Sequence, residues 1–216
     1  MRLRTHLWGN NRFNTVSAAG KIYTTVDLTP FRLPQLNPLS KKILFFREEY
    51  RLAYDTIRKA ANRCRCVYLV TGHPGIGESD FHLPRHQLIH STGKTFFLLC
   101  LLVHLLQERV PVALQIDAKN FVLFDSRGAH IYKTDSIDAS AIPEGAWALS
   151  DSGDQLEPCA AFRHSDAHIV HTSSPTSHRW KEWVKQMSAT RYIMDVWSSE
   201  ELRGLLYVGR LTPFIH

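Results

Sequence analysis

The chain has 216 residues, of which 44% are hydrophobic and 21% are charged. These fractions are ordinary for globular domains and exclude a disordered or fibrous chain, and the length suits one α/β domain with a short extension. The formal net charge of +6 is compatible with nucleic acid as a partner, but the basic residues are scattered along the sequence, so charge alone gives that partner weak support.

Cysteine usage and hydropathy favour an intracellular protein. Cys64, Cys66, Cys100 and Cys159 lack the paired spacing of a zinc site or a disulfide framework, so we expect reduced thiols. No apolar segment follows the basic N-terminal residues, as a signal peptide would require. The longest apolar run, Phe96 to Leu106, is much shorter than the ~20 residues that span a bilayer. We therefore expect a cytoplasmic or nuclear protein with no membrane partner.

Residues 1–42 differ from the rest of the chain. They contain X-Pro steps at Pro30, Pro34 and Pro38 and show little periodicity. This composition predicts an extended or poorly ordered N-terminal arm in front of a core at 43–210. From Phe45 to Arg63 apolar residues recur at helical spacing, which predicts a helix that leads into the first core strand.

Beyond Arg63, short apolar strands alternate with helices. Near-continuous apolar strands joined by helical crossovers are typical of a parallel sheet with both faces covered. We predict a three-layer α/β core with a mainly parallel five-stranded sheet, plus a small β-hairpin at about 120–133. The predicted strands are 66–71, 111–116, 146–151, 167–172 and 191–195, and the predicted helices are 94–108, 176–187 and 198–207.

A phosphate-binding motif is present in two halves. The pattern is Gly, four residues, Gly, Lys, then Ser or Thr, between a strand and a helix. Its backbone N–H groups surround a phosphate, the Lys reaches the β and γ oxygens, and the hydroxyl ligates Mg²⁺. Gly72-His-Pro-Gly-Ile-Gly77 follows a predicted strand, and Gly93-Lys94-Thr95 precedes a predicted helix. Removal of the 16 residues Glu78 to Gly93 leaves a complete match, so we predict a P-loop NTPase core.

The segment Glu78 to Gly93 is interpreted as an insertion that splits the phosphate loop. It is polar, carries Pro84, and differs in character from its flanks. Our hypothesis is that it is translated from a retained intron, since Gly77-Glu78-Ser79 can be encoded with a donor-like site and Thr92-Gly93 with an acceptor-like site. The alternative is a real insertion that loops out of the phosphate site.

Three histidines in this segment repeat at helical spacing. His82, His86 and His90 therefore suggest metal ligands, but Pro84 would interrupt a helix that carries them. Because of this proline, we do not expect a metal site there.

Asp151 ends a predicted strand, where an acidic residue would hold Mg²⁺ through water and take part in catalysis. The next residues are Ser152-Gly153-Asp154, so an adjacent acid that activates water is missing or displaced. Asp154 and Glu157 are the candidates to replace it.

Thr172 to Ser174 follow the next predicted strand, at a position where a polar residue would sense the γ-phosphate. The competing interpretation is an N-cap for the helix predicted from Thr176. Arg179 and Arg191 are the cationic candidates for stabilising a transferring phosphoryl group, and the alternative for each is an ordinary surface arginine.

With these residues assembled, the chain from about Phe45 to Gly209 resembles fungal P-loop NTPases allied to the Crinkler and retrotransposon-hot-spot proteins. The resemblance covers about three quarters of the chain. It is carried by FFREEYRLAYDTIRKA, by VTGHPGIG with KTFFLLCLLVHLL, and by EGAWALSDS, IVHTSSP and MDVWSSEELRGL.

The resemblance implies an ATPase core of the ASCE type, similar in layout to the STAND and AAA+ classes, with ATP and Mg²⁺ as ligands. It also implies a C-terminal lid or effector region beyond His216. By match to the motifs, it implies phosphate-binding roles for Gly72, Gly75, Gly77 and Lys94, Mg²⁺-binding roles for Thr95 and Asp151, and a sensor role for Thr172 to Ser174.

The first functional hypothesis is ATP binding with slow Mg²⁺-dependent hydrolysis, impaired in this chain by the split phosphate loop. The second is a non-catalytic interaction module that kept the fold and binds an unidentified protein partner. The third, binding to nucleic acid, rests on net charge alone.

Overall fold

The structure is a computed structural model. It describes residues 7–11, 13–18, 21–27, 43–72, 93–135, 139–151, 157–174 and 180–211. The strands are β1 (Asn14–Ala18), β2 (Lys21–Asp27), β3 (Ile43–Phe46), β4 (Val67–Gly72), β5 (Val112–Gln115), β6 (Asn120–Asp125), β7 (Gly128–Lys133), β8 (Trp147–Asp151), β9 (His168–Thr172) and β10 (Thr190–Met194). The helices are α1 (Glu48–Ala61), α2 (Gly93–Gln107), α3 (Ala160–Arg163), α4 (Lys181–Gln186) and α5 (Ser199–Leu211), with a 3₁₀ turn at Ala139–Ala141.

The main sheet has seven strands in the order β10-β4-β9-β8-β5-β6-β7. The strands from β10 to β5 are parallel, whereas β6 pairs antiparallel with β5 and β7 antiparallel with β6. The α/β class is confirmed. The expected five-stranded sheet with a separate hairpin is wrong in one respect, because the hairpin β6–β7 extends the same sheet and makes it mixed.

The reason lies in the composition of β6. Val122 and Phe124 pack into the core on one face of the sheet, while Phe121 and Leu123 pack into the core on the other. A strand that is apolar on both faces must be covered on both faces, so it cannot stand outside the layered core. The edge position goes to β7, where three of the six residues are exposed and three are partly buried.

A second sheet is formed by β1, β2 and β3, which pair antiparallel. Two of these strands lie within 1–42, the segment predicted as an extended or poorly ordered arm. Tyr23 and Val26 on β2 are buried, and Thr24 pairs with Phe46 of β3. The prolines of this segment, at 30, 34 and 38, lie outside the described residues.

Helices cover the main sheet on both faces. On one face, α1 buries Tyr50, Ala53 and Ile57, which recur at i, i+3 and i+7. The helix α2 lies between α1 and the sheet and is buried nearly all round, which explains its apolar sequence. On the opposite face, α3 and α4 contribute Phe162 and Trp183, both fully buried.

The crossovers run on different faces. The chain leaves β4 through α2, on one face, and enters β5 on one side of β4. It leaves β9 through α4, on the other face, and enters β10 on the opposite side of β4. The carboxyl ends of β4 and β9 therefore flank a topological switch point, the place where open α/β sheets bind ligands.

Within the described ranges, no helix combines the length and the apolar character that a bilayer crossing needs.

Candidate functional site

The candidate site lies at the carboxyl edge of the main sheet, beside this switch point. Asp151 is the last residue of β8 and Thr172 the last residue of β9, and the two are paired in the strand register. Lys94 and Thr95 occupy the first turn of α2. The structure thus brings together four residues that the sequence analysis singled out.

The Asp151 carboxylate is held by two hydroxyl groups. Thr95 donates from Oγ1 to Oδ2 at 2.6 Å, and Thr172 donates from Oγ1 to Oδ1 at 2.8 Å. Hydrogen bonds to a carboxylate are among the stronger ones, so these two fix the side chain between α2 and β9. A direct hydrogen bond therefore connects Asp151 to the first turn of α2, although Thr95 and Asp151 are 56 positions apart in the sequence.

Lys94 is the cation of the site. Its residue is only 7% exposed, and burial lowers the pKa of its ammonium group, whereas the charge of Asp151 acts in the opposite direction. No other described residue forms a hydrogen bond or an ion pair with this ammonium group. A buried cation without a partner is costly, and a bound anion would offset that cost.

A polar layer lies one residue below the edge and crosses three strands. Ser150 of β8 donates from Oγ to Gln115 Oε1 of β5 at 3.1 Å, and His171 Nδ1 of β9 lies 3.2 Å from the same Ser150 Oγ. Gln115 Oε1 also accepts from the backbone N–H of Cys159 at 3.2 Å. This layer connects Cys159, which follows β8, to the ends of β5, β8 and β9.

His171 is a fully buried member of this layer. Its residue is 0% exposed, and burial lowers its pKa to about 4, so the imidazole is neutral at physiological pH. Its Nε2 has no hydrogen-bond partner among the described residues, and the ring packs edge-on against Trp183 at a centroid distance of 5.3 Å.

Strand β4 joins the site from the other side. β4 ends at Gly72, which pairs with Met194 of β10, and the N–H of Ser173 donates to Val70 O at 3.0 Å. Gly72 therefore lies at the same edge as Thr172. The carbonyl oxygen of Ser174 accepts from Trp180 Nε1 at 3.1 Å.

Other candidates are placed differently. Glu157 forms an ion pair with Arg163 of α3 at 2.8 Å, so its carboxylate is engaged away from Asp151. Arg191 lies on β10 and donates from Nε to Thr71 Oγ1 at 3.2 Å. The remaining candidates lie outside the described residues, and they are Gly75, Gly77, the insertion up to Thr92 with its three histidines, Asp154, and Arg179.

The sequence analysis missed Gln115, Ser150 and His171. A signal was present, because each is a polar residue at the carboxyl end of an otherwise apolar strand. Buried polar side chains need hydrogen-bond partners, and residues at the same level of neighbouring strands can supply them to one another.

The donor set fits Mg²⁺ better than a transition metal. A threonine hydroxyl and a carboxylate are oxygen ligands, which Mg²⁺ prefers, and Mg²⁺ commonly takes one or two carboxylates and completes its shell with water and phosphate. In the part of the chain that the structure describes, no group of three or more His, Cys, Asp or Glu side chains is arranged to hold a metal.

Comparison of the chain with protein-family models and with curated proteins gives no match.

Proposed function

We propose that this chain is a nucleotide-binding domain of the P-loop type, which takes ATP with Mg²⁺ at the carboxyl edge of the main sheet. The observation that carries the proposal is the hydrogen bond of 2.6 Å between Thr95 and Asp151, beside Lys94, a buried residue whose ammonium group has no partner among the described residues. The first turn of α2 thereby offers an ammonium group for an anion and a hydroxyl ligand, and the end of β8 offers a carboxylate for a metal cation.

The chemistry of these groups supports a polyphosphate rather than a single carboxylate. Lys94 would hold phosphate oxygens, and the start of α2 adds the positive end of its dipole. Thr95 and Asp151 would hold the Mg²⁺ that accompanies the nucleotide and neutralises phosphate charge when bound. Thr172 keeps the Asp151 carboxylate oriented through its hydrogen bond of 2.8 Å.

The proposal is for binding, with at most slow hydrolysis. Hydrolysis requires a group that positions or deprotonates the attacking water. Of the two residues considered for this role, Glu157 is engaged by Arg163 and Asp154 lies outside the described residues. We further propose that the 16 inserted residues impair binding, because they separate Lys94 from the glycines of the loop.

A titration with fluorescent ATP in the presence of Mg²⁺ tests the proposal. The full chain and a chain lacking Glu78 to Gly93 are compared, and we expect tighter binding by the shorter chain. In the shorter chain, Lys94→Met should weaken binding about tenfold to hundredfold, as expected for loss of a charged hydrogen-bond partner. Lys59→Met is the matched control, since Lys59 is exposed at the end of α1.

Two outcomes discriminate the hypotheses. Equal, tight binding by both lengths would contradict the claim that the insertion impairs the site. Binding by neither length would reject nucleotide binding and favour a non-catalytic interaction module.

Sequencing of the transcript across the codon for Gly77 tests the intron hypothesis separately. We expect a spliced message that lacks the codons for Glu78 to Gly93. Retention of these codons in all mature message would contradict the hypothesis.

A further inference from the structure

Arg191 differs from an ordinary surface arginine because its side chain is held at two points. Nε donates to Thr71 Oγ1 at 3.2 Å, and the guanidinium carbon lies 5.2 Å from the centroid of the Trp180 ring. Trp180 is itself fixed, since it is 7% exposed and its indole N–H donates to Ser174 O. The guanidinium group is therefore preorganised, which reduces the entropy lost when it binds a ligand.

The side chain points toward the carboxyl edge of the sheet. Arg191 pairs with Leu69 in the register of β10 and β4, yet it hydrogen-bonds to Thr71, two residues further along β4. Two residues of strand correspond to roughly 6.6 Å, which is close to the full reach of an arginine. The terminal amino groups therefore lie near the level of Gly72, where β4 ends.

The two terminal nitrogens are available to a ligand. Only Nε of Arg191 forms a hydrogen bond within the described residues, and Arg191 is exposed. A planar fork with both Nη groups free suits bidentate binding of phosphate oxygens. The Trp180 ring below it fixes the plane of that fork.

The position of Arg191 along the carboxyl edge of the main sheet determines which phosphate group of a bound nucleotide it would contact. Asp151 is on β8, whereas the guanidinium group of Arg191 reaches across to Thr71 on β4, so two spacings between neighbouring strands divide the two charged groups. At about 4.8 Å each, that distance is roughly 10 Å. If Lys94, Thr95 and Asp151 take the terminal phosphates and Mg²⁺, Arg191 faces the opposite end of the same ligand.

We infer that Arg191 binds the α-phosphate of the nucleotide, the phosphate next to the nucleoside. This inference rests on the proposed function, and it assigns a second cation to the site, on the far side of β4 from Asp151. Arg191 would then bind the α-phosphate, which nucleoside mono-, di- and triphosphates share. The residues around Asp151 would bind the terminal phosphates and their metal ion.

The experiment measures the affinity for ATP, ADP and AMP by equilibrium dialysis, with the full chain and with the chain lacking Glu78 to Gly93. Arg191→Ala should weaken the binding of ATP and ADP by a similar factor, about tenfold to hundredfold. Arg191→Lys should recover part of the loss, because it keeps the charge but not the fork. Lys94→Met should weaken ATP and ADP more than AMP.

Two further variants control the interpretation. Thr71→Val removes the acceptor that fixes Nε, and we expect a smaller loss than for Arg191→Ala. Arg203→Ala removes the same charge from the exposed side of α5 and should leave all three affinities unchanged. Because Arg191 is exposed on an edge strand, its variants should remain folded, and a thermal unfolding curve of each variant checks this.

The results separate this inference from the proposal beneath it. If Lys94→Met weakens ATP but Arg191→Ala changes nothing, the inference about Arg191 is wrong and nucleotide binding stands. If Arg191→Ala weakens ATP and spares ADP, Arg191 faces the terminal phosphate and the inference is again wrong. If neither parent chain binds any of the three nucleotides, both ideas are rejected.

Discussion

Arg47 offers the sharpest test of how the two sheets are held together. It follows β3, and its side chain is 1% exposed. Nε and Nη2 donate to the two carboxylate oxygens of Glu201 on α5, at 3.2 and 3.1 Å. Nη2 also reaches Asp195 O and Val196 O, at 3.3 and 3.0 Å, in the connection between β10 and α5. One side chain therefore joins the second sheet to the end of the main sheet.

Glu201 also stabilises the start of α5, so displacement of its carboxylate would destabilise this helix as well. Its Oε2 accepts from the N–H of Ser198 at 2.9 Å, and its own N–H donates to Ser198 Oγ at 3.1 Å. This reciprocal pair is a capping box that begins α5. The guanidinium group of Arg47 also lies 4.3 Å from the centroid of the Trp197 ring, which adds a cation–π contact.

Arg47→Met is the informative substitution, because methionine keeps most of the stem volume and removes the charge. It leaves the Glu201 carboxylate, whose side chain is only 17% exposed, without its cation. Removal of one partner of a buried pair typically destabilises a protein by about 3–5 kcal/mol. We expect a loss at the lower end of this range, since Glu201 retains its bond from Ser198 and some contact with water.

The assay is guanidinium chloride unfolding followed by tryptophan fluorescence at pH 7. Arg47→Met, Glu201→Gln and the double variant form a cycle, and we expect a coupling of about 1–3 kcal/mol. Glutamine preserves the capping box, so the cycle reports the ion pair. Lys21→Met is the control, because the Lys21–Glu200 pair also joins the second sheet to α5 but is exposed, with side-chain exposures of 58% and 55%.

We expect no resolvable change in the free energy of unfolding for the control, Lys21→Met. If Arg47→Met and Lys21→Met have the same small effect, or if the two substitutions in the cycle are additive, Arg47 is not a buried connection between the sheets. A change in the slope of the unfolding curve would instead show that the variant alters the compactness of one of the two states.

Two further predictions concern stability. The pKa of His171 is about 4 in the folded chain against an ordinary value of 6.5, so unfolding takes up a proton between these values and stability falls as the pH decreases from 6.5 to 4. Between pH 7 and pH 5 this fall amounts to about 2 kcal/mol. Urea unfolding at the two pH values should show that His171→Gln removes the fall, whereas His130→Gln, on the exposed hairpin, does not. Gly204→Ala should lower the melting temperature although alanine favours helix, because its Cβ would lie 2.6 Å from the Tyr23 ring. An unchanged or raised melting temperature would mean that the ring moves away without loss.

Much of the core was predictable because its elements have local signals. The predicted strand at 111–116 is observed as Val112–Gln115, and the predicted helix at 94–108 as Gly93–Gln107. Apolar periodicity within one segment decides such elements. The strands at 14–18 and 21–27 were not predicted, because they are rich in threonine and polar residues and become strands by pairing with each other and with β3.

Part of the candidate site was also predictable. Lys94, Thr95, Asp151 and Thr172 were identified from residue type and from their position at strand or helix ends, and the structure places them together. The roles assigned to them remain predictions, as do the roles of Gly75 and Gly77.

The sequence by itself determined the α/β class, the approximate positions of most core strands and helices, and the polar residues near their ends, because each depends on a few neighbouring residues. Only the tertiary structure decided the order of the strands, the polar layer of Gln115, Ser150 and His171, and the position of Arg191 against Thr71 and Trp180. The physical reason is the same in each case. These contacts join residues far apart in the chain, so they form only when the packing of the whole sheet and its helices is satisfied at once.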